Sequence, residues 1–209
     1  MQEQAARLGF SEVLNPRKAA DFMLETEDNY GGSKSDYFIT RSFHLELTHT
    51  GSILQHRLTI TLHDGADANR PYDGPQYYAY LRVTMPAGAT HVTVSSARST
   101  EYAPIQAPAR RTQVPPPGAQ VASGWIFILV GEGLSGNYQA TFAWETPWAP
   151  AAGGSSSLYW EKQPGTVKDA VQVTWTSGGA TASATSDLSQ DRVVTFGSNG
   201  VVVSPAPPS

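Results

Sequence analysis

Asp64, Asp67, Asn69 and Asp73 place four short oxygen-bearing side chains within ten residues. Such a set can supply the hard oxygen ligands that Ca²⁺ prefers. The spacing in "DGADANRPYD" is not that of an EF-hand, which needs a glycine at loop position six and a bidentate Glu at twelve. Asp, Asn and Gly also gather in loops because their side chains bond the local backbone. The run therefore reads first as a polar loop, with a structural calcium ion on Asp64, Asp67 and Asp73 as the alternative. A second candidate lies upstream, where Asn29, Gly31, Gly32 and Lys34 stand in "DNYGGSKSDYFITR". Successive N–H groups in a glycine turn can cradle an anion, and a lysine adds charge. A phosphate loop, however, lies between a strand and a helix, and here a β pattern follows. The favoured reading is a structural turn that starts a sheet.

Aromatic residues offer a third kind of chemistry, since sugars stack on exposed rings. Alternation puts Trp125, Phe127 and Leu129 on one face and Phe142 with Trp144 on another, which reads as core. Tyr72 and Tyr77 flank the Asp-rich loop and Trp148 lies in a linker-like stretch, so these three are the ligand-binding candidates. Catalysis finds less support. No Gly-x-Ser-x-Gly elbow occurs to expose a nucleophilic serine. Glu145 and Glu161 fall on predicted strands, but the separation that decides a glycosidase reading is not a sequence property. The histidines His44, His49, His56, His63 and His91 form no helical metal pair, and His44 and His56 point to opposite faces of one hairpin. No catalytic residue is assigned.

Composition narrows the partners. The 209 residues carry a net charge of −4 and only four lysines, with no basic run longer than Arg110-Arg111. Duplex nucleic acid, bound largely by neutralising phosphates, is a poor fit. There is no cysteine, so disulfides and thiolate metal sites are excluded. No apolar run approaches the length that crosses a bilayer, and "MQEQAARLGF" lacks the blocks of a signal peptide. The expectation is a cytosolic chain, or part of a secreted one.

The elements that must position these groups are almost all strands. Met1 to Leu8 and Pro16 to Leu24 are the two helical candidates, the second with Asn15 as cap and Pro16 at the first helical position. From Tyr37 onward alternation takes over. "YFITRSFHLEL" and "LQHRLTITL" flank Gly51-Ser52, a dipeptide suited to a two-residue hairpin. Pairing Thr50 with Ile53 then sets Leu45 against Leu58, Phe43 against Ile60, and Glu46 against Arg57. Such pairs contribute roughly 0.2–1 kcal/mol each. "YYAYLRVTMPAGATHVTVSS" gives two strands broken at Pro86-Ala87-Gly88. "VASGWIFILVGE", "NYQATFAWE", "SLYWEKQP", "AVQVTWTS", "RVVTFGS" and "GVVVSP" give the rest, while prolines keep residues 104–118 out of a central strand.

Several of these segments together resemble a bacterial family of cell-envelope proteins, the domain-of-unknown-function four-zero-one-two family, in its C-terminal region. The stretches that carry the likeness are Asn29 to Lys34 followed by a strand with Arg41, "YYAYLRVTMPAGA" from Tyr77 to Ala89, and "EKQPGT" from Glu161 to Thr166. "SEVLNPRKAADFML" is similar to the family's approach to the first motif. The resemblance implies an extracytoplasmic, cell-surface setting and brings no catalytic residue.

The fold expected is all-β: a two-sheet antiparallel Ig-like sandwich over residues 37–205. An N-terminal arm with one or two short helices precedes it over residues 1–36. A sub-boundary is open near 147–156, and 206–209 is a frayed tail. About ten short strands with almost no helix require two sheets packed face to face. The function expected is a non-catalytic structural or interaction module, contacting a protein partner or an envelope glycan. The alternatives are a carbohydrate-binding module and, more weakly, a glycan-acting enzyme. The apolar "GVVVS" segment adds self-association through an edge strand.

Overall fold

A computed structural model describes residues 21–29, 38–65, 76–97, 117–129, 137–166 and 168–207. Within these residues twelve strands form two six-stranded sheets. They are β1 (Asp21–Asn29), β2 (Ile39–Thr50), β3 (Ile53–Asp64), β4 (Gln76–Pro86), β5 (Thr90–Ala97), β6 (Ala119–Leu129), β7 (Asn137–Pro147), β8 (Ser155–Glu161), β9 (Ala170–Ser177), β10 (Ala180–Asp187), β11 (Arg192–Gly197) and β12 (Gly200–Pro205). One sheet runs β12-β11-β8-β1-β4-β6 and the other β10-β9-β2-β3-β7-β5. The all-β, two-sheet sandwich is thus the fold. Each sheet is antiparallel but for one parallel pair, β1 with β8 and β2 with β9.

The β2–β3 hairpin has the expected register: Thr50 opposes Ile53, Leu45 opposes Leu58 and Phe43 opposes Ile60. Glu46 and Arg57 meet on the outer face at 3.3 Å. Gly51 sits at φ +62°, the left-handed setting that a Gly-first two-residue turn requires. Inward residues of both sheets then make one core, including Leu45, Leu58, Phe142, Trp144, Leu158, Trp160, Val173 and Phe196. Fully burying an aliphatic or aromatic side chain of this size contributes roughly 1.5–3 kcal/mol.

Four expectations need correction. Residues 21–24, placed in the second helix, are the start of β1, a central strand between β4 and β8. Pairing on both edges holds these residues in extended conformation. The sandwich therefore includes Asp21, not only residues from 37 onward. No sub-boundary divides it near 147–156, because the core draws on residues from both sides of that segment. The tail is tied at its start: Ala206 N donates to Asp191 O at 2.9 Å and packs on a smaller cluster of Phe22, Leu24, Ala119 and Tyr159. Strand β10, "ATASATSD", was missed because small polar residues give no apolar alternation to detect. Among the described residues no helix is long and apolar enough to cross a membrane.

Candidate functional site

β1 alternates against custom. Phe22 and Leu24 point to the outer face of their sheet, while Asp21, Met23, Glu25 and Glu27 point between the sheets. Three inward carboxyl groups on a central strand must each find a partner or a proton, since an isolated buried charge is strongly disfavoured.

Glu27 finds partners from both sheets. Arg41, the first long inward side chain of β2, donates from Nε to Glu27 Oε2, and the Tyr77 hydroxyl donates to Oε1. Arg41 Nη2 also reaches the Tyr77 oxygen at 3.5 Å. Burial, reinforced by the adjacent Glu27 carboxylate, keeps the Tyr77 phenol protonated far above its usual range. Burial disfavours the Arg41 charge, but its hydrogen bond to Glu27 and the attraction of the Glu27 carboxylate and other nearby groups together more than offset it, and the net shift is upward. This is a closed ion pair with a tyrosine lid, linking the sheets at the end opposite Gly51.

The same end holds the "EKQPGT" turn. The parallel ladder between β1 and β8 stops at Leu24 and Glu161, and the Gln163 side chain extends it. Its Nε2 donates to Glu27 O at 3.0 Å, and its Oε1 accepts from Glu27 N at 2.8 Å. Lys162 closes the turn by donating to Gln163 O, Thr166 O and Thr166 Oγ1 at 2.8–2.9 Å. Burial lowers its ammonium pKa. Arg41, Tyr77 and the Glu161–Thr166 turn come from segments far apart in sequence, and here they meet around one residue of β1.

Glu25 and Asp169 complete the cluster electrostatically. Glu25 is pushed up from 4.5 to about 8 by burial and then by the Glu27 carboxylate, and its Oε1 has no protein partner. Burial also raises Asp169. Within about 7 Å, the spacing of alternate residues on a strand, β1 thus holds one proton-loaded carboxyl and one ion-paired carboxylate. Paired carboxyl groups with opposed environments are a pattern shared with acid–base sites. Here both side chains are buried, and Glu27 is committed to Arg41 and Tyr77.

The Gly51 end is aromatic. Trp148 is half-buried, with Trp175 at 5.5 Å, His49 at 4.6 Å and Phe196 at 6.0 Å between ring centroids. Its backbone N–H donates to Ser52 O at 2.8 Å. The ring plugs the opening between the sheets and is packed on several sides. Nearby, the buried His56 pairs with Asp21 across the sheets at 2.8 Å and stacks on Trp144 at 4.8 Å.

Of the predicted ligand-binding residues, the described Tyr77 and Trp148 do not come together. Tyr77 is fully buried and presents no ring face to a sugar, which corrects its placement beside an open loop. Its inward position on β4 and its bond to Glu27 hold it inside. Trp148 lies at the Gly51 end, away from Tyr77, and Tyr72 falls outside the described residues. Asp64 closes β3 opposite Ile39, whereas Asp67 and Asp73 fall outside the described residues. Among those described, no group of three or more acidic or histidine side chains is arranged to hold a metal ion. Asn29 ends β1 opposite Ala79, so the strand precedes the glycine pair; Gly31, Gly32 and Lys34 lie outside the described residues. Sequence reasoning missed Asp21, Glu25 and Glu27. They share one side of an extended strand, but acids at such positions read as a solvent face, and assigning residues 16–24 to a helix hid the strand. No family model matches the chain, and no curated protein or solved structure does.

Proposed function

We propose that this chain is a non-catalytic structural or interaction module whose work is to hold a stiff two-sheet body in place and present an edge to a protein partner. The observation that supports it most is the closure of the charged cluster. Glu27, Arg41, Tyr77, Lys162, Gln163 and Thr166 direct their side-chain hydrogen bonds to one another or to backbone, which serves rigidity more than turnover. The partner edge in this reading is β12, hydrogen-bonded on one side to β11, with Val202 61% exposed. An apolar edge of this kind can accept a further strand. The bacterial cell-surface setting belongs to the proposal through the sequence resemblance alone.

Two measurements test it. Incubation with a panel of glycans should give no cleavage products; turnover that disappears in Glu25→Gln and Glu27→Gln would overturn the reading in favour of an enzyme. Sedimentation velocity over a range of concentrations should show association that weakens in Val202→Lys. A monomer at every concentration, for the wild type and the variant alike, would remove self-association through β12. Sugar binding ranks second because Trp148 keeps part of its ring at the surface. Glycan affinity lost in Trp148→Ala, with folding intact, would promote it.

A further inference from the structure

Four polar atoms near the Gly51 end are unused by the module reading. Asp21 on β1, His56 on β3, and Trp144 and Thr146 on β7 all lie between the sheets, exposed by 7%, 1%, 1% and 8%. His56 Nε2 and Asp21 Oδ2 are engaged with each other. Asp21 Oδ1, His56 Nδ1, Trp144 Nε1 and Thr146 Oγ1 have no hydrogen-bond partner in the protein. Their residues are neighbours: His56 and Trp144 are directly opposed across β3 and β7 and stacked at 4.8 Å, and Thr146 is the next inward residue along β7.

Their chemistry selects a ligand. The indole N–H can only donate and the carboxylate oxygen can only accept. The threonine hydroxyl does either, and the free imidazole nitrogen accepts when neutral and donates when protonated. A cation is disfavoured by the indole N–H, and an anion by Asp21. What remains is a small neutral molecule that donates and accepts over a short radius, which describes water. Buried waters characteristically make about three hydrogen bonds to otherwise unsatisfied polar groups.

We infer that this end of the sandwich binds ordered internal water, bridging β1 to β3 and β7. The water fastens the first half of β1 to the facing sheet, as Arg41 fastens the second. The test is water ¹⁷O magnetic relaxation dispersion on the full chain, paired with a crystal structure at a resolution that places solvent. The wild type should show a long-lived internal water, with density within hydrogen-bonding distance of at least two of the four atoms. Thr146→Val keeps shape while removing the hydroxyl, and Trp144→Phe removes the indole N–H together with one ring; each should reduce the dispersion amplitude while circular dichroism stays native. A wild type without a dispersion step, variants of unchanged amplitude, or a crystal structure in which the four atoms bond one another would each overturn the assignment. Should a variant fail to fold, the wild-type density still decides.

Discussion

Glu25 sets the direction of one pH effect. In the folded chain it holds its proton up to about pH 8, whereas an unfolded chain releases it near the ordinary carboxylate value. Between those values the folded state binds more protons, so stability falls as pH rises. The contribution is whole below about pH 4.5, declines at about 1.4 kcal/mol per pH unit across the window, and falls no further above about 8. Glu25→Gln, a neutral replacement of the same shape, should flatten this slope and raise stability at pH 8. Urea unfolding at pH 5, 6.5 and 8 measures it; a slope unchanged in the variant would show that Glu25 ionises normally. The Glu27–Arg41 pair makes a different prediction. Removing one partner of a buried ion pair costs about 3–5 kcal/mol, because the other charge is left uncompensated, whereas an apolar replacement of both is often close to neutral. Arg41→Met should therefore be strongly destabilising, and Glu27→Leu with Arg41→Met much less so. Additive losses in a double-mutant cycle would count against the pair.

At the level of elements, β2 and β3 show what alternation can reveal. Leu45, Leu58, Phe43 and Ile60 repeat every second residue around a Gly-Ser turn, and only one register buries them all. Most later strands are readable for the same reason. β1 is not, because its inward positions are Asp21, Glu25 and Glu27, and acids at core positions look like surface until Arg41 and His56 of the facing sheet are placed. The candidate site was illegible for that reason: its parts lie in separate segments and become partners only through strand order. β10 is unreadable on other grounds, having too little side chain to register. Close approach is equally hidden. A Cβ on Gly197 would stand 2.6 Å from Gly154 O and 2.9 Å from Ser155 Cα, both backbone atoms, where β11 passes β8. Gly197→Ala should cost about 1–3 kcal/mol, the usual range for overpacking, and lower Tm by several degrees in a thermal melt. An unchanged Tm would mean that β8 and β11 separate there easily.

For the molecule as a whole, the segment over residues 147–156 decides whether folding is one event or two. Its composition suggests a linker, but what it connects is interleaved. β8, after the segment, lies between β1 and β11, and β9 lies beside β2. A cut at residue 150 would take β8, β11 and β12 from one sheet and β9 and β10 from the other. It would strip both parallel neighbours and expose the inward faces of Leu45, Leu47 and Met23, which are now fully buried. Each half would keep strands of both sheets, but its core would be cut open along the β1–β8 and β2–β9 ladders, leaving apolar surface in water. Heating the full chain should therefore give one calorimetric peak whose enthalpy matches the van't Hoff value, and a fragment ending at residue 150 should bind a hydrophobic dye and show no cooperative melt. Two resolved peaks, or a cooperatively melting fragment, would mean that the strands before residue 150 and those after it fold as separable units. The Gln163 side chain, which bonds Glu27 N and O across that boundary, would then be acting as a clip between independent bodies, where a common core predicts that it reinforces a single one.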